Sequence, residues 1–441
     1  MRLTDLHGPR RFFLFLATIS LLAAVPSAAR AGAASPIEVG GNDIALSQPV
    51  VNLQVLDPIT NLPIGPIWSQ PFLLDTGASG VFIAGGSFIN IDTFTSTNAY
   101  TELSLAGVNF TDGTIEELGI GGVQVVNFSA PYDLVATKDG VNSVELQDVR
   151  MLANADANFG GFAGILGMPA MVNRVTTLDQ TVWSGGLGDF DPDTGSIDNL
   201  YMDVQFGALG DATIPDAEVD QLRFNAPLHL KSFAYDGNPI IAPNNEALPF
   251  ANISVSQGNT TIVTDALIDT GAQLGVISSG LAVGLGLGEM QLIDDDSNPS
   301  TPDVEVFVPF VDGGSLEVSG VNGIQEAPLV GFDSLNILGE EDTELSFNGI
   351  GMIVLDIHPD IPLIIGSDFI TTGWLEALFG TLDLGEPGPD GLIDRVHFDF
   401  TQSDNLEGQM ILDLNRNAIP EPSSLLLITI AGTAILSRRR R

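Results

Sequence analysis

Apolar residues fall along this chain in short Val-, Ile-, Leu- and Phe-rich runs, broken by clusters of Gly, Asn and Asp. Runs of that length, punctuated by turn formers, predict many short β-strands and few long helices. The pattern also repeats. IEVGGNDIALSQPVVNLQVLD followed by NLPIGPIWSQPFLLDTGAS reads as a strand, a turn and a further strand ending at Asp75. LPFANISVSQGNTTIVTDALIDTGAQ reads the same way and ends at Asp269. At 441 residues the chain is long enough for two substantial lobes, each with its own core.

Two apolar stretches at the ends break this rhythm. Arg10 and Arg11 precede FFLFLATISLLAAV and a small-residue Ala29-Arg30-Ala31 site, the pattern of a secretory signal peptide over residues 1–31. The other end reads AIPEPSSLLLITIAGTAILSRRRR, a Pro-Glu-Pro triplet, a short apolar run and four arginines. Leu425 to Leu436 is 12 residues, short of the ~20 that span a bilayer comfortably. The arginines would hold the segment at the cytoplasmic face during export. Residues 419–441 resemble the PEP-CTERM sorting signal of Gram-negative bacteria. That resemblance implies recognition by an exosortase, removal of the tail, and delivery to the outer surface or extracellular matrix. A short tail anchor is the alternative, and it too places the body outside the cytoplasm.

Composition narrows the chemistry. There is no cysteine, so disulfides, thiolate nucleophiles and cysteine-based zinc sites are excluded. His7, His229, His358 and His397 are scattered without a metal-binding spacing. The formal charge is −41, and eight of the fifteen basic residues lie in the two ends. The body between them carries 54 acidic residues against 7 basic ones, a net of −47. Such a surface repels nucleic acid and anionic lipid.

The duplication extends past the two Asp-Thr-Gly-Ala motifs. FAGILGMP follows the first, with Ile165 90 residues after Asp75, and IPLIIGSDF follows the second, with Ile364 95 residues after Asp269. Matching order at nearly matching spacing points to an ancient duplication of a β-rich unit. A lone Asp-Thr-Gly is an ordinary turn sequence. Two of them, each closing an apolar strand and each followed by an apolar-apolar-Gly element, resemble the pepsin-like aspartic peptidases. The resemblance implies a mostly β, bilobal fold over about residues 38–416, split into lobes at 38–225 and 226–416, with a cleft between them. It makes Asp75 and Asp269 the catalytic pair. Ile165, Leu166 and Gly167, with Ile364, Ile365 and Gly366, become the partner strands beneath the two loops. RVHFDFTQSDNLEGQMILDL resembles the closing hairpin of the second lobe, and ELGIGGVQVVNFSAPYDLV the strands after the flap.

Peptide hydrolysis without a covalent intermediate needs an activated water, a proton for the leaving nitrogen, and stabilisation of the oxyanion. Two close carboxylates supply the proton work because like charges at that distance keep one shared proton. The titration belongs to the pair, so neither Asp is assigned a separate role here. Gly77 and Gly271 allow a tight turn and close approach of backbone N–H groups. Thr76 and Thr270 are expected to hydrogen-bond across the lobes, as the family's threonines do. Ala78 and Ala272 stand where secreted pepsins carry Ser or Thr; Ser79 keeps a hydroxyl in the first loop and Gln273 replaces it in the second. The stretch ELSLAGVNFTDGTIEEL, matched to the flap, has no Tyr, which leaves Phe110 as the flap candidate.

GDFDPDTGSIDN places Asp189, Asp191, Asp193 and Asp198 with the alternation of a calcium loop. Gly195 sits one place late for an EF-hand and no helical pattern flanks it, so a solvated acidic loop is the favoured reading. No metal or other cofactor is expected. The leading expectation is an exported aspartic endopeptidase, monomeric, with a peptide or protein substrate and exosortase-type machinery as partners. A pepsin-like scaffold without useful catalysis, binding at the cell surface, is the alternative. A calcium-dependent adhesive protein is the third.

Overall fold

In Val50–Leu56 the side chains of Val51, Leu53 and Val55 are buried while Asn52 and Gln54 are half-exposed, the period-two signature of a strand with one face in a core. The computed structural model describes residues 37–40, 48–65, 71–86, 88–90, 95–119, 122–137, 143–155, 162–184, 190–191, 196–197, 201–232, 246–293, 304–311, 313–320, 323–370 and 392–416. The expected signal peptide and sorting segment lie outside these residues.

Six strands of the first half close into a ring. Their order is Val50–Leu56, Pro71–Leu74, Gly164–Leu166, Val81–Ala84, Ser143–Asn154 and Gly122–Thr137, and the last pairs back to the first. Six strands of the second half repeat it: Leu248–Gln257, Thr260–Ile268, Leu363–Ile365, Val276–Ile277, Glu344–Val354 and Gly323–Leu338, again closing on the first. The directions match throughout. In both rings the Asp strand runs parallel to its Ile-rich partner, which runs antiparallel to the strand after the Asp loop. That strand in turn runs parallel to the fifth member. The Asp269 strand is fed by a hairpin whose Gly258 has a φ of +58°, a left-handed conformation glycine adopts without a Cβ penalty. The protein is thus mostly β and bilobal, with one fold unit used twice.

A third layer joins the rings. Tyr201–Phe206, Val175–Ser184, Ile393–Asp399, Glu407–Asn415 and Gln221–Lys231 follow one another in a sheet that continues into Leu248–Gln257. The hairpin expected to close the second lobe therefore also pairs with the last long strand of the first half, Val175–Ser184. Gln221–Lys231 runs unbroken through residues 225 and 226. Ile37–Gly40 lies parallel to Glu344–Val354, so the chain enters on the second ring before building the first.

The joining sheet carries a buried polar network. His397 and Asp413 are fully buried. His397 lies between the Thr177 hydroxyl at 2.8 Å and the Asp413 carboxylate at 3.1 Å. Arg223 clasps Asp413 with Nε at 2.7 Å and Nη2 at 2.9 Å, and Arg395 reaches Asp179 and Glu218, each at 2.9 Å. Paired in this way, the buried charges avoid most of their desolvation penalty, and the removal of one partner would expose it.

Candidate active site

Each Asp strand ends in the core of its own ring and delivers its carboxylate to the same place. Phe72 and Leu74 precede Asp75, and Leu267 and Ile268 precede Asp269, all buried. The Asp75 N–H donates to the Leu166 carbonyl at 3.0 Å, and the Asp269 N–H to the Ile365 carbonyl at 2.9 Å. The partner strands then turn under the loops. Met168 N–H donates to Ala78 O at 2.9 Å, and Ser367 N–H to Ala272 O at 2.7 Å. Ile165, Leu166, Gly167, Ile364, Ile365 and Gly366 thus all lie beneath the two loops.

The loops grip one another. Thr76 N–H donates to Thr270 Oγ1 at 3.1 Å, and Thr270 N–H to Thr76 Oγ1 at 3.0 Å. The Thr76 hydroxyl donates to Ile268 O and the Thr270 hydroxyl to Leu74 O, both at 2.7 Å. Glycine is required beside each Asp. A Cβ on Gly77 would collide with the Asp269 carboxyl, and one on Gly271 with the Asp75 carboxyl. Gly77 N–H donates to Asp75 Oδ1 at 2.7 Å, while Asp269 Oδ1 accepts from Gly271 at 2.9 Å and Ala272 at 3.0 Å.

Burial and the neighbouring Asp269 charge hold the Asp75 carboxyl well above the usual carboxylate range. Burial also raises Asp269, offset by hydrogen bonds from Asp75, Ala272 and Gly271. The two carboxyl groups hydrogen-bond to each other. Two such groups share a proton and titrate together, the condition for acid and base roles at one water.

Around the pair, Ala78 packs against the apolar cluster of Leu73, Phe82, Val126 and Ile165. The Ser79 carbonyl accepts from Glu246 N–H at 2.8 Å, a further contact between the halves. Gln273 is exposed. The Ser367 hydroxyl, absent from the first half where Met168 stands, donates to Thr270 O at 2.8 Å.

The flap assignment is corrected in two respects. Phe110 is 2% exposed and packs against Tyr100 with ring centroids 5.1 Å apart, so it is a core residue ahead of the hairpin. The first-half hairpin pairs Gly113–Gly119 with Gly122–Thr137, in a register that runs from Gly113 opposite Phe128 to Gly119 opposite Gly122. Residues 117–119 and 122–124 of ELGIGGVQVV therefore pair with each other within the hairpin itself, rather than forming the strands after it. The offset arises because a short helix, Ala99–Leu105, takes up part of the stretch matched to the flap; Asn98 caps it by accepting from Thr101 N–H. Of the calcium candidates, Asp189, Asp193 and Asp198 lie outside the described residues, as does the side chain of Asp191. Among the described residues no cluster of acids or histidines could hold a metal ion.

No known protein family matches this sequence, and no curated protein does. Several solved structures align with it. Basic 7S globulin from soybean is 11% identical with a TM-score of 0.35, covering 83% of this chain and 94% of its own. Conglutin gamma, a basic 7S globulin from lupine seeds, is 13% identical with a TM-score of 0.35, covering 85% and 98%. EDGP is 10% identical with a TM-score of 0.36, covering 83% and 96%. Two matching strand rings with interlocked Asp loops define a bilobal protein of pepsin-like fold, and that class rests on the rings rather than on these likenesses.

Proposed function

We propose that the chain is an aspartic endopeptidase that uses Asp75 and Asp269 as one dyad. The observation that carries this is the pair of mutually hydrogen-bonded carboxylates, Asp75 buried and Asp269 half-buried, held by two interlocked Asp-Thr-Gly loops. The ionised member of the pair takes a proton from water as the water oxygen bonds to the scissile carbonyl carbon. The protonated member gives its proton to the carbonyl oxygen. The tetrahedral intermediate collapses as its C–N bond breaks: the dyad proton passes to the leaving nitrogen, and one hydroxyl proton of the intermediate returns to the other carboxylate, restoring the singly protonated pair. The signal-like start and the Pro-Glu-Pro tail support an exported enzyme, processed by exosortase-type machinery and acting on peptides at the outer surface or in the matrix. The strongly acidic body supports a working range on the acid side of neutrality.

One observation favours a second reading, a pepsin-like surface scaffold that binds without cleaving. The aromatic candidate for the flap is in the core, and the hairpin sequence GTIEELGIGGVQVV carries no Tyr in its place. Cleavage of a peptide library between pH 3 and 7, with and without pepstatin, separates the two. Pepstatin-sensitive cleavage that disappears in both Asp75→Asn and Asp269→Asn is the expected result; folded wild-type protein that cleaves nothing leaves the scaffold.

A further inference from the structure

The two Asp loops are near copies, but one residue outside them breaks the symmetry. Gln48 is 5% exposed, and its side-chain Nε2 donates to the Gly271 carbonyl, reaching from the first half to the second loop. That carbonyl belongs to the Gly271–Ala272 peptide unit, whose N–H donates to Asp269 Oδ1 at 3.0 Å. A continuous path therefore runs from the Gln48 amide through one peptide group to one carboxylate.

Among the described residues the first loop shows no such path. There the Ala78 N–H closes a turn onto Asp75's own backbone carbonyl at 3.3 Å. Strand register shows which residue would correspond to Gln48. Val50 lies opposite Leu73 and Phe250 opposite Leu267, each two residues before its Asp, so Gln48 corresponds to Leu248. Leu248 is apolar and buried and cannot donate a hydrogen bond.

A donor at one end of a peptide group strengthens donation from its other end, because hydrogen bonds in series polarise one another. We propose that Gln48 is a positioning residue that polarises the Gly271–Ala272 peptide and so places the shared proton of the dyad on Asp75, leaving Asp269 as the carboxylate that accepts from water. This rests on the endopeptidase reading for its catalytic meaning. The asymmetry itself does not depend on that reading. Among the described residues no other charge bears on either carboxyl: each faces the other, with the Gly77, Gly271 and Ala272 N–H groups around them.

The test is the titration of the dyad in the full-length protein, followed by NMR of carboxyl-labelled aspartate and assigned with Asp75→Asn and Asp269→Asn. Gln48→Met keeps the length and removes the donor. Its lower dyad pKa is expected to rise by about half a pH unit, with the acid limb of any pH–rate profile moving equally. Gln48→Asn, polar but one methylene too short to reach Gly271, is expected to shift the same way and serves if the Met variant does not fold. A lower melting temperature with an unchanged lower pKa would mean a merely structural contact and overturn the proposal. So would titration in the wild type that assigns the lower pKa to Asp75. Should the wild type cleave nothing, the endopeptidase reading fails while the carboxyl titration still decides the role of Gln48.

Discussion

Thr76 and Thr270 exchange hydrogen bonds: each backbone N–H donates to the other's hydroxyl, and each hydroxyl donates to the carbonyl just before the other's Asp. Four bonds cross between the halves through two buried side chains. Isosteric Thr270→Val would leave the Leu74 carbonyl and the Thr76 N–H without these partners, at about 1–3 kcal/mol for each buried group. We expect Thr270→Val to lose about 2–5 kcal/mol in denaturant unfolding, and Thr270→Ser to keep most of it. Because both threonines belong to one network, Thr76→Val/Thr270→Val should cost clearly less than the sum of the singles. Additive losses would show that the four bonds do not act together.

The two glycines beside the aspartates are sites where activity and stability should separate. Gly271→Ala pushes a methyl into the Asp75 carboxyl and Gly77→Ala into that of Asp269. Overpacking of this kind costs about 1–3 kcal/mol, which two closed rings tolerate. A carboxylate displaced by about 1 Å loses on the order of a hundredfold in rate. Gly280→Ala is the control: it lies in the short helix Ser279–Gly284, and a Cβ there meets nothing within 4 Å. It should leave cleavage unchanged and add up to about 1 kcal/mol. Melting curves beside peptide cleavage for the three variants check this.

Phe110 gives a direct test of the corrected hairpin. A residue at a hairpin tip contributes little to stability and much to substrate handling. Phe110 is buried against Tyr100, so Phe110→Ala should cost about 3–5 kcal/mol in global unfolding. Its cleavage preferences, measured where the protein is still folded, should match the wild type. A small stability loss with an altered preference would return Phe110 to the flap.

The parts of the site legible in the sequence are those whose residues are local and repeated. Asp-Thr-Gly-Ala behind an apolar run, with Ile-Leu-Gly or Ile-Ile-Gly downstream, encodes a strand, a turn and a partner strand, each a short-range signal. The duplicated order extends that legibility to both rings. The place of Phe110 is not legible in this way, because Ala99–Leu105 is too short for its periodicity to stand out from the surrounding loop. Gln48 carries no local mark: its partner is 223 positions away, and only the register of two rings brings it to Gly271. The joining sheet is hidden for the same reason, since Thr177, His397 and Asp413 meet through pairing that no window of sequence contains.

The dependence of stability on pH follows from two carboxylates shifted in opposite directions. Burial alone would raise Asp413, but hydrogen bonds from His397 and Arg223 and the Arg223 charge bring it down to about 2. A carboxylate depressed in the folded state stabilises it above the unfolded value and ceases to as pH falls, so about 2 kcal/mol should disappear between roughly pH 4 and pH 2. Asp75 is raised, so the folded state binds its proton more tightly than the unfolded chain. That contribution is complete below the ordinary carboxylate range and is lost as pH rises through the folded value. Glu246 and Asp394, raised chiefly by burial, act in the same direction as Asp75. Stability should therefore peak at mildly acidic pH and decline on both sides. Urea unfolding from pH 2 to 8 would show it. Asp413→Asn should flatten the acid limb, Asp75→Asn should soften the decline toward neutrality, and a wild-type maximum at or above pH 7 would contradict the raised dyad.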